Sequence, residues 1–200
     1  MAVASLILAS SSKSRASILT HTGVSFSQVP SSVDEEPVKA SMANSGATAA
    51  QCALRLAEMK AASVSTLHPE AFVLGCDQML DCGGRWFDKP KDPVQARTHL
   101  EDLRGRKHSL FNGMVVVRGS QTIWQYTNHA VLEMRAFSDA FLDQYLATVG
   151  EQVLFTVGGY HFEGPGAQLF TSIEGDFFSI LGLPRLPLLG FLREHGLIST

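Results

Sequence analysis

The stretch AFVLGCDQ, residues 71–78, decides the fold of this chain. Its first five residues form a continuous apolar run, which is typical of a central strand buried on both faces. We predict that Asp77 lies just beyond the carboxyl end of this strand. Open α/β sheets bind their ligands at that edge, so Asp77 is the first candidate for a functional residue. The alternative role for this aspartate is to cap the following turn.

The chain before this stretch predicts a strand, a helix and a second strand. The segment SLILA at 5–9 is short and apolar, which indicates a buried strand. A helix over about 14–22 follows, and Gly23 ends it. Residues 24–29 alternate between apolar and polar and predict another strand. Residues 31–45 are acidic and then small and polar, and they predict a mobile loop.

Helical and strand patterns alternate along the rest of the chain. Because strands and helices do not segregate, the sequence predicts an α/β fold with a mixed sheet. The 200 residues fit a single domain over 1–200. The predicted elements are a long Ala-rich helix at 47–63, a hairpin turn at 81–85, a helix at 93–103, an antiparallel pair of strands at 109–117 and 122–134, a helix at 139–148 and a C-terminal helix at 186–195.

The composition is that of an ordinary globular protein, with 45% hydrophobic and 18% charged residues. The net charge of −3 provides no global basic field for a nucleic acid polymer, so we expect no such partner. Any polyanion that binds should be small and held by a few local cations. The three cysteines form no CxxC pair, which argues against a zinc ribbon or a redox motif.

The sequence indicates neither a membrane span nor a signal peptide. No run approaches the roughly 18 apolar residues of a membrane-spanning helix, so we expect no membrane partner. The apolar start at 1–9 lacks a basic region and is short for a signal peptide, and a buried strand explains it better. We therefore expect a cytoplasmic protein.

The segment SSSKSR, residues 10–15, joins the first predicted strand to the first predicted helix and can hold a phosphate. The start of a helix offers unpaired amide groups, and small hydroxyl residues let a phosphate approach them closely. Arg15 can add a bidentate contact. A well-capped helix start is the alternative, since serine is a favoured capping residue. The segment lacks the glycines and the lysine of a Walker A loop.

Two charged runs can each be interpreted either as a functional site or as a solvent-exposed surface segment. Lys89 precedes a proline that fixes its turn, so its amine can neutralise phosphate charge or simply face solvent. Glu35 lies in an acidic run at 34–36, which either binds a metal or is solvated.

The glycine-rich segment GGYHFEG, residues 158–164, is a candidate for recognising a nucleobase. Glycines permit close approach of the backbone, and the Glu163 carboxylate can accept hydrogen bonds from the amino and imino groups of a base. A tight structural loop is the alternative.

The order of these motifs resembles the Maf family of nucleoside triphosphate pyrophosphatases over about residues 5–195. The resemblance implies a Maf/ITPase-like α/β fold, in which a mixed twisted sheet flanked by helices forms two lobes around a central cleft. The matching motifs are LILASSSKSR (6–15), VDE (33–35), RLAEMK (55–60), LGCDQ (74–78), DKPKD (88–92), LRGRKH (103–108), GGYHFEGPG (158–166) and IEGDFFSILGLP (173–184).

The resemblance implies that the chain hydrolyses a nucleoside triphosphate to the monophosphate and pyrophosphate with a divalent metal, Mg²⁺ or Mn²⁺. It assigns Asp77 as the catalytic acid/base and both Asp77 and Glu35 as metal ligands. A homodimer would match the family. The residues that the resemblance places around the phosphates and the metal are Ser10, Ser12, Arg15, Glu35, Lys60 and Lys89.

Three positions implied by the resemblance concern the choice of substrate. The chain has Gln78 directly after Asp77 and Glu163 before a loop glycine, and in both it is similar to the branch that hydrolyses 7-methyl-GTP. An acidic acceptor suits guanine, whose N1–H and N2–H₂ groups are donors. The third position is Ser14, where that branch carries a bulky aromatic residue. These features predict a house-cleaning enzyme for 7-methyl-GTP or another modified nucleotide.

The chain also departs from the family at two positions. Ala16 stands where a second arginine is usual, and Asn112 stands where a threonine usually precedes Gly113. A lost cation and a changed base contact favour a shifted substrate. They also motivate the alternative function, a nucleotide-binding regulator of cell division with little or no turnover.

Overall fold

The computed structural model describes residues 5–199, so residues 1–4 of the predicted apolar start lie outside the described residues. Helices and strands alternate along this part of the chain, with three 3₁₀ segments at 150–155, 157–159 and 165–169. The elements are β1 (Leu6–Leu8), α1 (Lys13–His21), β2 (Ser27–Gln28), α2 (Glu35–Asn44), α3 (Ala49–Ser65), β3 (Phe72–Cys82), β4 (Arg85–Phe87), α4 (Pro93–Leu103), β5 (Lys107–Arg118), β6 (Gln121–Met134), α5 (Asp139–Val149), β7 (Phe170–Glu174), α6 (Phe177–Ile180) and α7 (Arg185–Glu194).

The strands form a mixed sheet, which confirms the predicted α/β fold. Their order is β2-β1-β3-β5-β6-β7, and β4 pairs with β3 outside this path. Strand β1 runs parallel to both β2 and β3, with Ile7 opposite Val73. The β3–β4 and β6–β7 pairs are antiparallel. Parallel and antiparallel pairing in one sheet is what the interleaved sequence pattern predicted.

The predicted mobile loop at 31–45 is wrong, because these residues contain helix α2. Asp34 caps this helix by accepting a hydrogen bond from the amide of Glu36 at 3.3 Å. Lys39 and Glu35, one turn apart, form an ion pair at 3.2 Å. Capping and an i,i+4 pair both stabilise short helices, and they overcome the weak apolar pattern of this segment.

Two strand predictions also need correction. Strand β3 does not end before Asp77 but continues to Cys82, because its last residues pair with β4. Asp77 therefore lies inside the strand rather than beyond it. Strand β2 contains only two residues instead of the six predicted at 24–29, since β1 offers it only a short edge.

The described residues divide into two compact units. The first contains the residues up to Gln78, those of Asn112–Asn128 and those from Phe177 onward, and the second contains Met79–Phe111 and His129–Asp176. The single domain over 1–200 and the cleft between two lobes stay predictions. Within residues 5–199, no helix is long and apolar enough to cross a membrane.

In the first unit, helix α3 lies directly on the sheet because two strand glycines leave room for it. A Cβ atom on Gly75 of β3 would lie 2.0 Å from the carbonyl oxygen of Ala57, and one on Gly113 of β5 would lie 2.5 Å from the backbone of Ala53. Only glycine permits such an approach. Side chains two residues apart in a strand share a face, so Asp77 points to the same side of β3 as Gly75.

Candidate active site

The centre of the candidate site is an ammonium group shared by two carboxylates. Lys60 of α3 donates to Asp77 Oδ1 at 2.5 Å and contacts Glu35 Oε1 at 2.6 Å. Lys60 is 8% exposed and Asp77 is 5% exposed, so both charges are almost removed from water. Lys60 comes three residues after Ala57, whose backbone lies against Gly75. Its side chain therefore reaches the face of β3 that carries Asp77. The structure thus brings together three of the residues that the sequence singled out.

The two carboxyl groups of this cluster have opposite pKa shifts. Burial raises the pKa of Asp77, and Lys60 offsets that effect only in part. Burial also acts to raise the pKa of Glu35, but the charges of Lys60 and Lys39 lower it to about 2. Glu35 is therefore a fixed anion, whereas Asp77 is the carboxyl group suited to exchanging a proton.

Asp77 and Glu35 are the residues of this cluster that could hold a divalent metal. Asp77 Oδ2 is buried and has no hydrogen-bond partner among the described residues, so it offers an unused negative ligand. No group of three or more histidine, cysteine, aspartate or glutamate side chains that could hold a metal exists within residues 5–199. Mg²⁺ is commonly held by one or two carboxylates, with water and substrate phosphates completing its shell. The pair of Asp77 and Glu35 matches that mode of binding.

The serine segment forms the start of helix α1, as the sequence predicted. Ser12 is the capping residue, and its hydroxyl accepts a hydrogen bond from the amide of Arg15 at 3.3 Å. Ser10 is buried, and its hydroxyl accepts from the amide of Ser12 at 3.2 Å. Ser12 therefore has the capping role that the sequence analysis gave as the alternative. The oxygen of each serine is used as an acceptor, and its hydroxyl proton remains a possible donor to a phosphate oxygen.

Arg15 connects the serine segment to strand β3. Its Nη1 donates to Ser10 Oγ at 3.2 Å and to the carbonyl of Cys76 at 3.0 Å, and its Nε donates to the carbonyl of Gly182 at 2.9 Å. Its Nη2 donates to no described residue, although a guanidinium carries two hydrogens there. Arg15 is thus fixed along one edge beside the residue that precedes Asp77, while its other edge can donate to an anion.

Gln78 is held on the opposite face of β3 by a cluster of neutral groups. Its Nε2 donates to Asn112 Oδ1 at 3.0 Å and to the carbonyls of Ser179 and Ile180 at 3.0 and 3.1 Å. Asn112 Nδ2 donates to the Ser179 carbonyl at 2.8 Å and to Asn128 Oδ1 at 3.0 Å. Gln78 Oε1 makes no hydrogen bond to a described residue. The amide therefore presents an acceptor to its surroundings.

The sequence analysis missed several groups that hold these residues in place. Gln28 donates to the carbonyl of Ser10 at 2.7 Å, and Lys39 contributes to the low pKa of Glu35. The carbonyls of α6 give no sequence signal at all. Asn112 was visible only as a departure from a family pattern. Ser14 lies half-buried in the first turn of α1.

Lys89 and Glu163 belong to the second unit, where their two motifs lie side by side. The amide of Gly158 donates to the carbonyl of Asp88 at 3.2 Å. A Cβ atom on Gly159 would lie 3.4 Å from Pro90. The glycine-rich segment therefore packs against the turn that carries Lys89, as expected for a tight structural loop. The segments that carry Lys89 and Glu163 thus lie in one part of this unit.

Comparison with known proteins gives consistent results over almost the whole chain. The family described as Maf-like protein matches residues 5–195. A nucleoside triphosphate pyrophosphatase of Granulibacter bethesdensis is 50% identical over 195 residues, which cover 98% of this chain and 99% of that protein. A nucleoside triphosphate pyrophosphatase of Paramagnetospirillum magneticum is 51% identical, covering 95% and 98%. A 7-methyl-GTP pyrophosphatase of Rhizobium meliloti is 45% identical, covering 98% of each chain.

Proposed function

The chain belongs to the Maf family, and we propose that it hydrolyses a nucleoside triphosphate to the monophosphate and pyrophosphate. The observation that carries this proposal is the buried Lys60 ammonium between Asp77 and Glu35, next to the unpartnered Asp77 Oδ2. Phosphoryl transfer needs charge neutralisation and an oriented nucleophile more than covalent help. Lys60 can neutralise charge, and the Asp77 carboxylate can orient an attacking water molecule.

In this mechanism, Asp77 acts as the general base. Its carboxylate takes a proton from a water molecule whose oxygen attacks the α-phosphorus. The bond between that phosphorus and the bridging oxygen breaks, and pyrophosphate leaves with the electron pair. The raised pKa of Asp77 makes its ionised form a stronger base than an ordinary aspartate. Lys60 holds the carboxylate in place through the 2.5 Å hydrogen bond.

The proposed divalent cation is Mg²⁺ or Mn²⁺, with Asp77 Oδ2 and Glu35 as its protein ligands. When bound, such a cation neutralises phosphate charge and orients the reacting oxygens. The proposed phosphate-binding groups of the chain are Arg15 Nη2, the hydroxyls of Ser10 and Ser12, Lys60 and Lys89. A substrate with about four negative charges requires several cations of this kind.

The proposed substrate is 7-methyl-GTP or a similar modified guanine nucleotide. Gln78 presents a fixed acceptor, and the Glu163 carboxylate is a second acceptor, which suits the N–H groups of guanine. The name of the Rhizobium meliloti relative supports this choice, whereas the names of the other two relatives leave the base open. Ser14 is the third proposed specificity position. We also propose a homodimer and a cytoplasmic location, where nucleoside triphosphates are found.

The alternative role, a regulator of cell division without turnover, is less well supported. It was motivated by Ala16 and Asn112, yet neither departure disturbs the charged cluster. Arg15 keeps an edge that can donate to phosphate, and Lys60 and Asp77 are both present and paired.

The test is an Asp77→Asn variant assayed on a panel of nucleotides with Mg²⁺ or Mn²⁺. Loss of the general base should lower kcat by about 10²- to 10⁴-fold. Asp81→Asn is the matched control, because Asp81 lies on the same strand and its carboxylate only accepts a hydrogen bond from the amide of Gly84 at 3.0 Å. Pyrophosphate release is measured. If no nucleotide is hydrolysed faster by the wild type than by Asp77→Asn, the proposal is wrong.

A further inference from the structure

The motif IEGDFFSILGLP, residues 173–184, has no role in the mechanism above, although its last part contacts two site residues. The carbonyl of Gly182 accepts from Arg15 Nε at 2.9 Å. The carbonyls of Ser179 and Ile180 accept from Gln78 Nε2. We call residues 179–182 the α6 turn. One four-residue segment thus fixes both a proposed phosphate-binding group and a proposed base-binding group.

The α6 turn has a conformation that its own backbone determines. The amide of Gly182 donates to the carbonyl of Ser179 at 3.3 Å, and the amide of Leu183 donates to the carbonyl of Phe178 at 3.0 Å. Gly182 has a φ of +84°. This pair of hydrogen bonds around a glycine of positive φ is a Schellman motif, which ends helices in a defined geometry. The fully buried Leu183 anchors the end of the turn in the core of the first unit.

The turn also determines which atoms of the two side chains point outward. A reversed Gln78 amide would direct Oε1 at three acceptor oxygens, so the nitrogen has to face the α6 turn and Asn112. Oε1 is then the atom that remains for a ligand. For Arg15, the bond from Nε to Gly182 leaves Nη2 as the donor edge. Each side chain is held on one side and presents the other.

Gly182 lies close to both side chains. A Cβ atom at this position would lie 3.3 Å from Arg15 Nη2, 3.4 Å from Arg15 Nε and 3.6 Å from Gln78 Nε2. The contact with Arg15 Nη2 is too close for a Cβ atom, so either the guanidinium or the α6 turn has to shift by a few tenths of an ångström. A shift of the turn moves the carbonyls of Ser179 and Ile180, which hold Gln78.

We propose that the α6 turn is a positioning element that aligns Arg15 with the phosphates and Gln78 with the base, so that both contacts depend on Gly182. This inference rests on the proposed function, since it uses a nucleotide as the ligand. The turn touches no substrate itself. It acts through the two side chains, and it makes base recognition and phosphate binding sensitive to one backbone position.

The test compares Gly182→Ala with Gly196→Ala. Gly196 also has a positive φ, +67°, but a Cβ atom there meets no heavy atom within 4 Å. Both variants carry similar backbone strain, and only the first reaches Arg15 and Gln78. Two readouts are used. Inhibition by inorganic tripolyphosphate with Mg²⁺ reports phosphate binding without a base, and the kcat/KM ratio of GTP to ITP reports recognition of the guanine 2-amino group.

Gly182→Ala should weaken tripolyphosphate binding by about three- to tenfold, since a shift of a few tenths of an ångström misplaces the guanidinium. It should also lower the GTP-to-ITP ratio by about three- to tenfold, the loss expected for one hydrogen bond. Gln78→Met should lower only the ratio, and Gly196→Ala should change neither readout. If Gly182→Ala matches Gly196→Ala in both readouts, or changes only one of them, the inference is wrong.

Failure of the proposed function would look different. In that case, wild-type protein would hydrolyse none of the nucleotides tested, 7-methyl-GTP included, and would not bind tripolyphosphate, as measured by calorimetry. A wild type that binds and hydrolyses normally, together with a Gly182→Ala variant like the control, would refute the positioning role alone.

Discussion

Asp77 and Gln78 are neighbours on strand β3, yet their side chains enter two different environments on opposite faces of the strand. On the Asp77 side, Lys60 and Glu35 form a charged cluster in which Lys60 and Asp77 are buried and Glu35 is partly exposed. On the Gln78 side, Asn112 and the α6 turn form a cluster of amides and carbonyls without charge. Burial of charge shifts pKa values and suits chemistry on phosphates. A neutral network fixes orientation and suits recognition of a base.

The largest expected effect comes from removing the cation of the charged cluster. Lys60→Met leaves Asp77 and Glu35 without their shared ammonium and removes one proposed phosphate contact. We expect kcat to fall by about 10²- to 10³-fold, as for other lost electrostatic contacts to a transition state. The GTP-to-ITP ratio should stay unchanged, because Gln78 does not contact Lys60. Steady-state kinetics on both nucleotides measures the two quantities.

Lys39→Met is the matched control for this exchange. Lys39 pairs with Glu35 Oε2 at 3.2 Å, whereas Lys60 reaches Glu35 Oε1 and Asp77. The control should lower kcat much less than Lys60→Met. An equal loss of kcat in the two variants would mean that catalysis depends on positive charge near Glu35 and not on the ion pair between Lys60 and Asp77.

The next expected effect distinguishes the two clusters by how the activity and the base preference depend on pH. Asp77 has to be ionised to act as a base, and its pKa is raised by burial, so kcat/KM should fall with decreasing pH earlier than an aspartate of ordinary pKa, about 3.9, would allow. Gln78, Asn112, Asn128 and Ser179 do not titrate. The GTP-to-ITP ratio should therefore stay constant while both rates fall on the acid side of the pH profile. A ratio that falls together with the two rates would mean that recognition of the base depends on the proton of Asp77, and that the two clusters do not act separately.

The charged cluster could be predicted from the sequence much better than the neutral one. Acidic and basic side chains can be recognised in the sequence by their type. The apolar run at 71–75 drew attention to Asp77, although this residue lies inside strand β3 and not beyond its end. The errors in the prediction of this cluster concerned local secondary structure. The loop predicted at 31–45 is helix α2, so Glu35 is held in a first helical turn by Asp34 and Lys39. Capping and pairing on a weakly apolar helix leave no periodic signal.

The neutral cluster depends on contacts that side-chain types do not reveal. Gln78 could be singled out only through a family resemblance, and two of the three residues that orient it are 101 and 102 positions away in the chain. Two of its three partners are backbone carbonyls, which every residue carries. The sequence shows that Gly182 is a glycine, but only the fold shows that Arg15 and Gln78 lie against it.

The smallest expected effect concerns Asn112, where threonine and valine form a matched pair of nearly equal shape. A threonine hydroxyl can accept from Gln78 Nε2 and donate to the carbonyl of Ser179, as Asn112 does with its two atoms. Valine can do neither. Asn112→Val should therefore lower the free energy of unfolding by about 1 kcal/mol relative to Asn112→Thr, measured by urea denaturation.

The base preference should nevertheless change by no more than about twofold in either Asn112 variant. The carbonyls of Ser179 and Ile180 still require the Gln78 nitrogen to face inward, so Oε1 stays the presented atom. A loss of preference in Asn112→Val as large as in Gly182→Ala would move the orienting role from the α6 turn to Asn112. The valine and threonine variants thus decide whether the departure at this position tunes stability or the choice of base.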